Sequence, residues 1–145
     1  MSTMTREELL LFLRRHRLLV QASVSASGAP QAAVVGFAVS DQFEFVFDTL
    51  SSTRKFQNIR QEPRVSLVIG WDDEITVQID GIADVLSGDD QARLRECYFE
   101  VYPDGRARLA WNGLEHIRVR PTWFRYSDFT QDPPRIVEGT LTSLE

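Results

Sequence analysis

The segment from Asp48 to Lys55 (Asp-Thr-Leu-Ser-Ser-Thr-Arg-Lys) sets hydroxyl side chains, an arginine and the only lysine of the chain next to one another. Phenylalanines alternate just before it at 43, 45 and 47, the mark of a strand with one buried face. Thr53 is a suitable N-cap for a helix that Pro63 must end. A strand therefore gives way to a helix within these residues. Free backbone N–H groups at a helix start, the positive end of its dipole, hydroxyl donors and two cations are together what a phosphate needs. Arginine offers a fork and lysine a point charge. The same residues also suit an ordinary capped helix with a solvated basic face, so the segment alone leaves both readings open.

Other chemistry finds less support. Neither GxGxxG nor GxxxxGK[ST] occurs, which removes the warrant for a Rossmann or P-loop nucleotide site. His16 and His116 lack a nearby nucleophile or ligand partner and are expected at the surface or an interface. Cys97 falls on the apolar side of a helical pattern and reads as a small core residue rather than a nucleophile. As the only cysteine it can form no internal disulfide and no metal site by itself, so a reducing cytoplasm is the expected location.

The elements that must position the segment can be read from periodicity. Thr5 and Glu8 form a capping box, and Leu9, Leu10, Phe12 and Leu13 continue it as a helix over 5–16. Residues 18–26 and 31–39 read as a hairpin turning at Ser27-Gly28-Ala29-Pro30, and 43–47 as a third antiparallel strand. A short helix over 54–61 follows, then strands over 64–71 and 74–86, with Gly81 marking a bulge or bend. Asp89 or Asp90 caps a helix to about 101 whose apolar face is Leu94, Cys97, Tyr98 and Val101. Pro103-Asp104-Gly105 closes that helix. A last long strand runs over 114–126, interrupted at Pro121, and from Asp132 the tail reads as loop and loosely ordered end. Six or more antiparallel strands with short helices between them predict a mainly β protein, a small, partly open barrel, as a single domain over 1–145.

Bulk properties agree with a globular chain. Apolar residues make up 43% and charged residues 26%, which fits neither a disordered chain nor a membrane protein, and no apolar run is long enough to cross a bilayer as a helix. The two glutamates near the start stand where a secretory signal needs its apolar core, so no export is expected. The net charge of -5 argues against nucleic-acid or anionic-membrane partners.

Residues 43–86 carry a more specific pattern. Thr49, Arg54-Lys55, Asn58, Arg60 and Pro63-Arg64-Val65-Ser66-Leu67, followed by Val77 to Gly81 as a V-x-I-x-G strand, resemble the pyridoxamine-phosphate-oxidase-like family of FMN-binding split β-barrels. The leading helix and first hairpin agree with it, extending the resemblance over about 5–126. It implies a homodimer with two FMN molecules in clefts between subunits. Arg54 and Lys55, with Thr53 beside them, would hold the FMN phosphate, and Asp48 and Thr49 would lie along the ribityl chain or ring edge. Val34 and Val35 match the strand running beside the isoalloxazine, and Thr76 matches a position reaching the flavin from a neighbouring strand. Trp111 and Trp123 would pack on the ring or in the dimer core.

Departures from the family's enzymes bear on the substrate. A third phosphate-binding Arg corresponds here to Ala33, and a Lys used for the substrate phosphate corresponds to Ala38. The C-terminal Arg-x-His clamp has no counterpart in Trp123-Phe124-Arg125-Tyr126-Ser127. Without those cations a phosphorylated substrate loses much of its binding energy. The expectation is therefore a flavin-dependent oxidoreductase working by hydride transfer at flavin N5 on a small molecule other than pyridoxamine phosphate. The alternatives are a flavin-binding sensor with little turnover, or a member of the same fold that holds F420 or haem.

Overall fold

The computed structural model describes residues 3–144. Eight strands form one antiparallel sheet: β1 (Leu18–Val24), β2 (Pro30–Gly36), β3 (Ala38–Val39), β4 (Phe45–Leu50), β5 (Arg64–Ile69), β6 (Ile75–Val85), β7 (Leu114–Asp128) and β8 (Arg135–Gly139). They lie in the order β2-β1-β5-β6-β7-β4-β3, with β8 paired to β7. Strand β7 holds the sheet together, because its first half pairs with β4, its second half with β8, and β6 runs along its other edge. The sheet curls until β2 comes near β4 without a ladder between them, which makes the barrel split rather than closed. Among the described residues no helix is long and apolar enough to cross a membrane.

Two apolar interiors result. The barrel interior holds Phe37, Phe43, Phe45, Phe47, Phe124 and their aliphatic neighbours, and is plugged by Leu9, Phe12 and Leu13 of α1 (Arg6–Arg14). Thr5 caps that helix by accepting from Glu8 N at 3.0 Å, as the capping box predicts. The second interior lies under α3 (Gly88–Val101), where Leu94, Tyr98 and Phe99 pack on Ala38, Val46 and Leu86. A third helix, α2 (Arg54–Gln61), follows β4 with Thr53 as its cap.

Several boundaries differ from the sequence reading. Phe43 takes a left-handed φ of 60° in the turn closed by its N–H to Ser40 O, so β4 begins two residues later and runs on through Thr49 and Leu50. The expected strand over 31–39 breaks at Phe37 into β2 and β3. Helix α3 starts at Gly88 with Ser87 in the cap position, not Asp89 or Asp90, whose carboxylates serve its first turn instead. The tail expected to be loose pairs as β8 with residues 124–128, with Val137 buried against the core and Arg135 bonded to Glu8 at 2.7 Å. The bulge at Gly81 is present: the β6–β7 register shifts there, and Pro121, which has no N–H to give to the ladder, stands opposite it. A Cβ at Gly81 would meet Val119 Cγ1 at 2.7 Å.

Buried charge fastens α3 to the sheet. Arg118 of β7 makes a two-pronged bond to Asp84 of β6 (3.0 and 2.9 Å) and reaches Glu44 and Asp90 at 3.2 Å each. Arg93 of α3 forks onto Glu44 at 2.8 and 3.0 Å, and Ser40 donates to the same carboxylate. The Arg93 fork, helped by Ser40 and Arg118, holds the Glu44 carboxyl down at about 2 against the opposing effect of burial. His116, expected at the surface or an interface, is instead fully buried on β7 between Tyr98 and Phe99. Its Nδ1 accepts from Arg95 Nε at 3.0 Å. Burial, then the Arg95 charge, depresses its pKa to about 4, so it folds in as the neutral imidazole.

Both groups have folded pKa values below their unfolded ones, so each contributes stability at higher pH that is lost on acidification. The His116 contribution should be complete above about pH 6.5 and disappear towards about 4; that of Glu44 should be complete above about 4.5 and disappear towards about 2. Urea midpoints of the parent, His116→Phe and Glu44→Gln between pH 8 and 3 check this. The advantage of the parent over each variant should shrink only within that group's own window, and parallel curves at every pH would rule the assignment out.

Candidate functional site

Strand alternation sorts the candidate residues before any contact is considered. On β4, Phe45, Phe47 and Thr49 face the barrel interior, whereas Val46, Asp48 and Leu50 face the other way. Asp48 is accordingly taken up beneath α3 by Arg108, at 2.9 Å between two largely buried side chains. The same guanidinium reaches Tyr98 Oη and Asp104. Thr49, on the inner side, meets the start of α2.

A chain of hydroxyls organises that start. Lys55 Nζ donates to Thr49 Oγ1 at 3.5 Å, Thr49 and Thr53 share a 2.8 Å bond, and Thr53 Oγ1 donates to Leu50 O at 2.9 Å while accepting from Phe56 N at 3.3 Å. The intervening loop is tied by Ser51 N to Gly113 O at 2.8 Å and by Gln57 Nε2 to Ser51 O at 2.8 Å. Lys55 is thus aimed by the fold, with donors to spare.

The electrostatics are unbalanced in one direction. Arg54 and Lys55 are the first two residues of α2, whose first turn contains no acidic residue, and cations at that end oppose the helix dipole. None of the ion pairs among the described residues involves either of them. Positive potential here is left for something outside the chain to neutralise.

The two cations open on a groove of about 380 Å³ between α2 and β2, floored by Gln21 and Ser23 of β1 and walled by Gln31, Ala32 and Ala33. Asn58 of α2 reaches down to the floor, donating to Ser23 Oγ at 3.1 Å and Gln31 Oε1 at 2.6 Å. Gln21 is 1% exposed, and its Oε1 has no hydrogen-bond partner among the described residues. A larger groove of about 560 Å³ lies on the outer sheet face around Ser66, Asp80 and Thr122, but its charges are already satisfied, Arg64 by Glu62 and Asp80 by Ser66 at 2.9 Å.

Of the residues singled out in the sequence, Thr53, Arg54 and Lys55 line the first groove, and Thr49 touches it through Lys55 and Thr53. The others stand apart. Val35 packs inward on the core, Val34 points outward at 58% exposure, and Asp48 is engaged under α3. Thr76 of β6 pairs with Ser127 of β7, and β6 is three strands from β2 and so about 14 Å away. Gln21, Ser23 and Gln31 escaped the sequence reading. Their signal was nevertheless there: β1 alternates with Leu19, Gln21 and Ser23 on one side, and two polar residues in series with a core leucine call for a reason.

The profile of the family described as Pyridoxamine 5'-phosphate oxidase matches residues 5–128. A pyridoxine/pyridoxamine 5'-phosphate oxidase of Bordetella avium is 33% identical over 122 residues, which cover 79% of this chain and 56% of that protein. The chain thus spans little more than half the length of this relative. Among solved structures, a heme binding protein from Mycobacterium smegmatis superposes with a TM-score of 0.81 at 14% identity, covering 98% of this chain and 60% of that one. A pyridoxamine 5'-phosphate oxidase-related, FMN binding protein from Nostoc punctiforme superposes with a TM-score of 0.67 at 14% identity, covering 90% and 91%. At these identities the structural matches establish the split-barrel fold.

Proposed function

The chain belongs to the pyridoxamine 5'-phosphate oxidase family, and from that premise we propose that it is an FMN-binding oxidoreductase of a small organic molecule. The observation that carries this reading is the pair of cations without acidic partners at the positive end of α2, opening on a groove whose floor contains an orphaned amide oxygen. A phosphate fits the first feature and a hydroxylated chain the second. When bound, FMN supplies a hydride acceptor or donor at N5. The chain itself supplies the rest: Arg54 and Lys55 hold the phosphate, the Thr49–Thr53 link fixes the lysine, and the wall of β2 shields the ligand from water. Among the described residues no carboxylate or imidazole lines the groove, which suits a reaction needing orientation alone, and equally suits a flavin-holding sensor with little turnover. Reduction of the bound flavin by nicotinamide cofactors separates these two readings.

Haem and F420 fit less well. A haem would need an axial ligand, yet His116 is sealed beneath Tyr98 and Phe99. His16 packs on the Phe12 ring, with its Nδ1 on Phe12 O at 2.9 Å. F420 would need further basic residues for its acidic tail, and the groove offers only Arg54 and Lys55. The lone, half-buried Cys97, whose thiol is pushed up by burial, accords with a cytoplasmic setting.

A homodimer is part of the same proposal. Val34, Val20 and Val68 form one row across the outer face of β2, β1 and β5, with the exposed Leu18 near its end. Such a face suits a second copy of the chain. Val34 and Thr76 lie outside the groove of their own subunit, and docking on this face would let them serve the partner's ligand.

Three measurements test the proposal. Replacing Arg54 and Lys55 together with alanine should weaken FMN by about 3 kcal/mol or more, at ~1.5–3 for each charge-assisted hydrogen bond, with the melting temperature of the unliganded protein little changed. Retained affinity in a flavin fluorescence titration would put the phosphate elsewhere. FMN-loaded protein should not convert pyridoxamine phosphate and oxygen to pyridoxal phosphate at a useful rate. Ala33 brings no charge to the groove, and Ala38, 3% exposed, is packed with Val46 and Leu86; turnover near one per second would contradict this. Sedimentation at micromolar concentration should give twice the 16.6 kDa chain mass, and a monomer would remove the shared cleft.

A further inference from the structure

Gln21 is a groove residue whose chemistry the phosphate reading leaves unused. It lies on the inner side of β1, with Ala33 directly opposite on β2 and Leu67 opposite on β5. The alanine side chain is too short to reach the amide, and the leucine offers it no polar atom. Among the neighbouring polar groups Asn58 donates to Ser23 and to Gln31, and none donates to the Gln21 oxygen. A carbonyl oxygen buried at 1% exposure without a partner is costly to keep, and such groups persist where a ligand completes them.

We propose that Gln21 is a ligand-contacting residue that accepts a hydrogen bond from a hydroxyl group of the bound molecule, beside the phosphate held by Arg54 and Lys55. The proposal rests on the phosphate reading of that groove and adds the chemical class of what adjoins the phosphate. A phosphate dianion only accepts hydrogen bonds, so it can serve the two cations but not the Gln21 oxygen. An alcohol donates, and can also accept from the other atom of the same amide. The groove therefore selects a polyol phosphate chain over a plain alkyl phosphate, with Gln21 as the residue that tells them apart. A neutral amide also makes the discrimination independent of the charge on the ligand.

The test compares FMN with a flavin phosphate whose five-carbon chain bears no hydroxyls, titrated by fluorescence into the parent and Gln21→Leu. The parent should bind FMN about tenfold or more tightly than the alkyl analogue. The variant should lose most of that preference, hold the analogue as the parent does, and melt, without ligand, at the same or a higher temperature because the orphaned oxygen is gone. Gln21→Met repeats the comparison if the leucine variant folds poorly. A preference kept in the variants overturns the role of Gln21 while leaving the phosphate site standing. A parent that binds neither flavin phosphate overturns both.

Discussion

Strand β4 has to serve two interiors at once, and the two-residue period of its side chains is the constraint on which the arrangement depends. One face supplies Phe45 and Phe47 to the barrel and then Thr49 to the groove; the other supplies Val46 to the layer beneath α3 and then Asp48 to Arg108. A shift of one residue would exchange the two sets, burying Asp48 among phenylalanines and exposing Thr49 to the Arg108 side. Pairing with β7 over residues 45–50 fixes that register, and β7 is in turn fixed by the bulge at Gly81 and by Arg118. The positions of Thr49 and Lys55 are thus set by packing far from the groove itself.

The fold also shows where charge is spent and where it is withheld. Around Glu44, two arginines and three carboxylates satisfy one another in a half-buried network that holds α3 on the sheet. Such a network stabilises the pose of α3 mainly by being complete, because removing one member leaves a buried charge alone. At the start of α2 the opposite holds. Two cations sit where the helix dipole disfavours them and where no carboxylate answers, a state that proteins keep for an incoming anion. The contrast between a closed network and an open pair, in one small domain, distinguishes scaffold from site.

Much of this was legible in the sequence because it is local. Thr5 with Glu8, Thr53 before a polar helix and Pro63 after it, and Gly81 all act within a few residues, and each appears in the structure where its spacing puts it; of the alternating phenylalanines all three are buried, but only Phe45 and Phe47 lie in β4. What could not be read depends on distant strands. His116 stands in a segment of mixed polarity, and only the docking of α3 shows that it is buried between two aromatic rings. The tail after Asp132 offers only the short apolar pair Ile136-Val137 between Pro134 and Gly139, and it becomes a strand because β7 extends beyond β4 and offers an open edge. For Gln21 the β1 alternation shows locally that a polar residue takes a core position, but the groove it lines with Ala33 and Lys55 joins residues remote in the chain.

That separation also bears on how one fold supports different cofactors and substrates. The groups proposed to hold a phosphate, Arg54 and Lys55, are consecutive residues at one helix start, so they survive or change together. The groups that would read the remainder of a ligand are scattered over β1, β2 and, in a dimer, the facing subunit, and each can change alone without disturbing the anchor. Ala33 and Gln21 face one another across the β1–β2 ladder, so a side chain of any size at 33 competes for the space above the amide. A long cation there would set a charged contact beside Gln21; alanine sets none. On the proposed reading, selectivity in this groove belongs to a cross-strand pair, while the helix start fixes where the ligand's charge must lie.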